Sequence, residues 1–212
     1  MNNSLTPTPS ANRPLRPENP ARHWRRLCWV TDRIAISGDL PTDRTAALAQ
    51  LAYWEDNGVT HEIDVRFEAN DEAFVHANSS VTYANFGVDD DGGPREHSWF
   101  DDVVEHVTAV LQSDPDAKVV VHCHLGVNRA PSVVLAIMLA LGWEAVPALR
   151  RIRDERPIAG IIYAGDAVVW NGIRNGLDDE EIDSTLDQVR AWFRRNPLDL
   201  GWVIRSLHRR LA

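Results

Sequence analysis

Apolar and polar positions along the chain alternate in blocks that read as strands and helices taking turns. In RIAISGDLP (33–41), Ile34 and Ile36 alternate with smaller neighbours until Gly38, the pattern of a strand running into a turn. Thr42 then stands where a helix cap would. Behind it come Ala47, Leu48, Leu51 and Ala52 at helical spacings of three and four, and Gly58 supplies the stop. Residues 59–67 and 81–88 read as two further strands separated by a polar stretch. A helix over 99–111 follows Ser98 as its N-cap, with Val103, Val107, Val110 and Leu111 as the buried stripe. The β-branched run 118–122 suits a central strand buried on both faces. The helix after it, with Val133, Val134, Leu135, Ile137, Met138 and Leu139, is apolar nearly all round and is expected to be buried. More helix is expected over 144–156 and 164–175. The remainder, acidic LDDEEID followed by an amphipathic stretch, predicts a helical extension packed on the core with its charges solvated. Strands alternating with helices predict an α/β domain with helices flanking a mostly parallel central sheet.

The totals narrow the class. A length of 212 residues suits one domain with one core. No apolar run approaches the ~20 residues of a spanning helix, so no membrane insertion is expected. The opening MNNSLTPTPSANRPLRPENP is proline-rich and lacks an apolar stretch, so it does not read as a secretory signal. Residues 1–22 are expected to form a disordered arm, 23–175 the central domain and 176–212 the extension. A net charge of −9 argues against nucleic-acid binding, because affinity for a phosphate backbone rests on summed positive charge. Any anion site must therefore be local. Cys28 and Cys123 are too few for a disulfide framework and suit a reducing cytoplasm.

One stretch carries chemistry. VVVHCHLGVNRAPSVV (119–134) joins a strand to a helix through a short loop holding a cysteine, a glycine and an arginine. A strand, a tight loop and a helix collect backbone N–H groups around one point at the positive end of a helix dipole, which is an anion cradle. Cys123 at its base and Arg129 at the helix start would bracket a tetrahedral oxyanion, with Gly126 letting the backbone curl closely. Loop N–H donors and the Arg129 charge would together favour the thiolate, the nucleophilic form of a cysteine.

HCHLGVNR (122–129) resembles the HCxxGxxR signature of the cysteine-dependent protein phosphatases, and its surroundings resemble the dual-specificity branch. The likeness runs over 33–166 through ISGDLP, GVTHEIDVR (58–66), GVDDDG (87–92), the signature, and LRRIRDERPIA (149–159), in family order. It implies a phosphomonoester hydrolase acting through a cysteinyl-phosphate intermediate on phosphorylated proteins, with no metal and no organic cofactor. Cys123 would be the nucleophile and Arg129 the oxyanion clamp. The substrate phosphate would lie on the backbone of His124, Leu125, Gly126, Val127, Asn128 and Arg129, with His122 bonding nearby backbone to support the loop. A loop aspartate would protonate the leaving group; the pattern favours Asp90, then Asp89, with Asp91 adjacent, and Gly92 and Gly93 suit a mobile loop. The chain departs from the family at Ala130, where a hydroxyl usually follows the arginine, and at Asn128, bulkier than the usual residue. A catalytically weak phosphate-binding module, a phosphoinositide or nucleotide phosphatase, and a sulfurtransferase are the alternatives.

Other residues have plainer readings. Cys28, beside Trp29 and Val30, reads as a small buried hydrophobe. Zinc at His122, Cys123 and His124 is unattractive because adjacent strand side chains diverge. Asp64 and Arg66 read as a structural pair. Arg150, Arg151, Arg153 and Arg156 read as a solvated helix face rather than a positive rim.

Overall fold

The computed structural model describes residues 13–209. A five-stranded sheet runs in the order β1-β2-β5-β3-β4. Its strands are β1 (Cys28–Trp29), β2 (Ile34–Ser37), β3 (His61–Arg66), β4 (Thr82–Val88) and β5 (Val119–His122). Only the edge pair β1–β2 is antiparallel; the remaining pairings are parallel. The eight α-helices among the described residues are α1 (Arg44–Asp56), α2 (Glu72–Asn78), α3 (His97–Ser113), α4 (Arg129–Ala140), α5 (Ala145–Glu155), α6 (Ala164–Arg174), α7 (Asp179–Arg195) and α8 (Leu200–His208).

The two-residue period of the strands sorts side chains between two layers. Ile34, Ile36, Ile63, Val65, Val119 and Val121 join the cluster built with α3 to α7, whereas Ala35, Val120 and Tyr83 face Leu51, Trp54 and Val75 of α1 and α2. β5 lies between β2 and β3 and is buried throughout, as a strand covered on both faces must be. α4 is buried over nearly its whole length between sheet and helices, which explains its lack of a polar face.

Local details differ from the pattern. Asp43, not Thr42, caps α1, its carboxylate accepting from Ala46 N at 2.9 Å. α3 begins before Ser98, with Glu96 at the cap position. The polar stretch between β3 and β4 contains α2, which buries only Val75 and so leaves too thin an apolar stripe to read. β1 is too short to alternate. Of the arm expected over 1–22, residues 1–12 lie outside the described residues. The rest is held down: Leu15 bridges Leu198, Arg16 pairs with Asp199 at 2.8 Å, and a 3-10 turn over Pro20–His23 buries Pro20 and His23. The extension forms α7, opened by a capping box between Asp178 and Glu181, and then α8.

Candidate active site

Register brings Ser37 of β2, His122 of β5 and Asp64 of β3 side by side at the carboxyl edge of the sheet, where open α/β sheets hold their ligands. Cys123 is the next residue and is 2% exposed. The chain turns once through 124–128 and enters α4 at Arg129, so loop N–H groups and the helix N-terminus share one recess. Gly126 makes the turn with φ of 61°, and a Cβ there would collide with the Ser37 carbonyl and the Arg156 guanidinium. Only glycine satisfies both constraints.

Arg156 is the residue that holds this turn. Its Nε donates to Gly126 O at 2.5 Å, and its Nη2 donates to Leu125 O and Trp24 O at 3.0 Å each. Nη1 donates to His23 O at 2.8 Å. Loop carbonyls drawn back toward a guanidinium leave the opposite, N–H face free for an anion. Arg156 is fully buried and, among the described residues, forms no ion pair, so its charge adds to the positive potential beneath the loop. The expected solvated face is therefore corrected at this residue, and also at Arg153, which is 8% exposed with its guanidinium 5.2 Å from the centroid of the Trp192 ring on α7. α5 ends at Glu155, and Arg156 leaves the helix with φ −128° and ψ 82°, so helical spacing no longer sets its direction.

Arg129 points into the same recess, 4% exposed. Its Nη1 and Nη2 donate to the two oxygens of Glu68 at 2.6 Å each, and Nη1 also donates to Val88 O at 2.9 Å. Burial opposes its charge, but its hydrogen bonds to Glu68 and the surrounding negative charges, Glu68 and Asp90 among them, together outweigh burial and hold its pKa above the ordinary value. Nε has no partner, with Asp90 Oδ2 3.6 Å away. A buried N–H of this kind marks a place for an incoming oxygen.

Asp90 is the aspartate drawn into the recess. Its Oδ1 accepts from Asn128 Nδ2 at 2.5 Å and from the Tyr163 hydroxyl at 2.9 Å. Asp91 instead pairs with Arg95, and Asp89 offers its carbonyl to Arg95 Nη1 at 2.7 Å. Arg95 Nε also donates to Gly93 O at 3.0 Å, and its guanidinium lies over the Tyr163 ring, 4.6 Å from the centroid. The loop expected to be mobile is thus strapped at both ends. Asn128, the bulky departure, uses its amide as a bridge: Nδ2 donates to Asp90, and Oδ1 accepts from Ile162 N at 2.7 Å.

His122 and His124 turn outward from each other. His124 Nδ1 lies 2.6 Å from Asp39 Oδ2, and Asp39 in turn accepts from Arg25 at 3.0 Å. The bond from His122 to nearby backbone is not made: its Nε2 lies 2.8 Å from Glu62 Oε1 and 3.9 Å from Asp64 Oδ1, both on β3 and buried, and its Nδ1 has no hydrogen-bond partner. Burial would depress its pKa, but the Asp64 charge and the Glu62 carboxylate outweigh burial and raise it. Burial also raises Glu62. Asp64 and Arg66 form the expected pair, bridged at 2.7 and 2.9 Å. Among the described residues no group of His, Cys, Asp or Glu is placed to hold a metal ion.

The functional side chains that sequence reasoning did not single out are Glu68, Arg95, Arg156 and Tyr163. Each acts on the site across a long sequence separation, 61 residues between Glu68 and Arg129 and 73 between Tyr163 and Asp90, except Arg95, which is hidden in an ordinary polar turn.

Residues 44–161 match the family model for the dual specificity phosphatase catalytic domain. The protein phosphatase Slingshot of Drosophila melanogaster is 34% identical over 109 residues, 51% of this chain and 10% of that protein. Dual specificity protein phosphatase 13B of Homo sapiens is 29% identical over 105 residues, 48% of this chain and 52% of that protein. The chain thus spans a tenth and about half of these relatives' lengths. The crystal structure of a mouse putative dual specificity phosphatase complexed with zinc tungstate has a TM-score of 0.57 and 14% identity, covering 84% of this chain and 98% of that one. At that identity the likeness shows the fold.

Two outcomes follow from the geometry. Arg156→Met strands several buried carbonyls, each worth roughly 1–3 kcal/mol, so urea unfolding should show a loss above about 3 kcal/mol. The raised His122 contributes stability that is complete below pH 6.5 and lost as pH rises through its folded-state pKa, and the raised Glu62 acts in the same sense. Unfolding free energy should therefore fall as pH increases from 6.5, with a shallower slope in Glu62→Gln.

Proposed function

The chain belongs to the dual-specificity phosphatase catalytic-domain family, and from that premise we propose that it hydrolyses phosphomonoesters of proteins through a cysteinyl-phosphate intermediate in a reducing, cytoplasmic setting. The observation that carries the reading is the convergence of Cys123, Arg129 and Asp90 on one cavity of about 300 Å³ at the end of the central strand. The phosphate sits on the loop N–H groups, with Arg129 Nε as a further donor; the fork geometry of a guanidinium suits two oxygens, which a lysine cannot copy. Cys123 Sγ attacks phosphorus, an S–P bond forms, and the P–O bond to the leaving group breaks as Asp90 supplies the proton. Asp90 then takes a proton from water as its oxygen attacks phosphorus, the S–P bond breaks, and inorganic phosphate and the thiolate result.

Charge around the opening supports a protein over a phosphoinositide or nucleotide. Glu68, Asp90 and Asp91 line the Cys123 cavity with Arg129 as the one Lys or Arg in that lining, Asp89 joins the same carboxylates in an adjoining depression, and the loop between Cys123 and Arg129 contains no lysine. A ligand carrying several phosphates meets repulsion there, whereas a single phosphate flanked by basic residues does not.

A phosphate-binding module of weak activity is the second reading, favoured by Ala130. That position is fully buried and offers no hydroxyl to the departing thiolate, and the buried hydroxyl of Ser132 has no hydrogen-bond partner. Slow breakdown of the intermediate is the expected consequence.

Kinetics separate the readings. Rapid-quench assays with p-nitrophenyl phosphate should give a burst followed by slow turnover, and Cys123→Ser should abolish both; a protein that binds phosphate without Cys123-dependent turnover is the module. Asp90→Asn should lower kcat with alkyl phosphates by about 10²–10⁴-fold. Phosphopeptides flanked by Lys or Arg should be cleaved about tenfold more efficiently at low salt than acidic ones, the difference shrinking as salt screens the rim.

A further inference from the structure

The family match ends at residue 161, yet the pocket that holds Cys123 is completed by residues beyond it. Leu200 and Ile204 of α8 and Ile162 line it, together with Leu125 and Val127 of the loop. α8 reaches this position because its two faces do different work. Val203 and Leu207 are buried with Trp24, Val127 and Ile158, which fixes the helix's rotation. Leu200 and Ile204, four apart, then share the face directed to the opening.

Small residues allow the approach. A Cβ on Gly160 would stand 2.8 Å from Leu200 Cδ2, and Gly160 N donates to Val127 O at 2.6 Å, so one glycine joins α8 to the phosphate loop. Ile161 has φ of 56°, a left-handed conformation costly for a β-branched residue. It turns the chain so that Ile162, its N–H bound to Asn128, stands 53% exposed at the rim. Ile204 is 36% exposed. Exposed aliphatic side chains gathered around a polar recess mark a surface that a ligand covers.

We propose that α8 is the substrate-selecting wall of the site, with Leu200 and Ile204 and, beside them, Ile162 packing against an aryl group, so that phosphotyrosine is preferred over phosphoserine and phosphothreonine. The proposal rests on the reading of the recess as a phosphate site. A tyrosine ring spans the apolar rim and leaves the peptide backbone outside. Phosphoserine, one methylene from its backbone, has to bring polar amides against the aliphatic wall, where their hydrogen bonds to water are lost.

Binding to the Cys123→Ser protein tests the wall separately from turnover. Calorimetry with two peptides of one sequence, phosphotyrosyl and phosphoseryl, should give a clear preference for the first. Adding Ile204→Ala, a half-exposed position with little packing to lose, should reduce that preference about five- to tenfold while the Kd for inorganic phosphate stays within about twofold. Ile162→Ala, on a separate element, should act in the same direction. Equal losses for both peptides and for phosphate, or an unchanged preference in both variants, would overturn the wall. If the expected pattern holds but the unsubstituted protein turns over neither peptide, the wall stands and the hydrolase reading fails.

Discussion

A buried guanidinium under the turn 124–128 is the constraint on which this site depends. Arg156 gathers carbonyl oxygens from the segment around His23 and Trp24 and from Leu125 and Gly126. A loop with its carbonyls held on one side presents its N–H groups on the other, the geometry of an anion-binding concavity. The charge itself is kept inside by hydrogen bonds alone, which is tolerable only because its donors are nearly all satisfied. Gly126 is the geometric counterpart: the guanidinium lies where any side chain at that position would be.

Around this turn the other groups are fixed by partners from distant strands. Glu68 splays the Arg129 guanidinium and leaves Nε toward the recess. Tyr163 and Asn128 both donate to Asp90 Oδ1, and Arg95 ties the acidic loop back on itself. Asp90, Asn128 and Arg129 are thus held by hydrogen bonds already made, in the same cavity lining as Cys123.

The two ends of the described chain meet on the same side of the turn. Leu15 pairs with Leu198, and Trp24 packs with Val203 and Leu207 against Val127 and Ile158. Trp24 also donates from Nε1 to His124 O at 3.0 Å. Segments outside the family match thus brace the loop and shape its opening, which is how a common scaffold acquires an individual rim without altering its chemistry.

What the sequence determined by itself was local. Periods of two and of three to four placed β2, β3, β4, β5 and the helices α1 and α3 to α6 near their observed bounds, and the C-terminal stretch as helical without its division into α7 and α8, because side-chain direction within an element follows from backbone geometry alone. The cysteine, glycine and arginine of 123–129 were legible for the same reason: a strand, a turn and a helix start lie within one short stretch. Helix caps were less legible, since neighbouring Thr42 and Asp43 both suit the position and only the fold chooses between them. Tertiary structure alone decided the partners of that loop. Glu68, Arg156 and Tyr163 gain their meaning from contacts made across strands and helices, and α8 from a docking face that reads in isolation as an ordinary amphipathic helix. Such contacts depend on how elements pack in three dimensions, and no spacing along the chain encodes that.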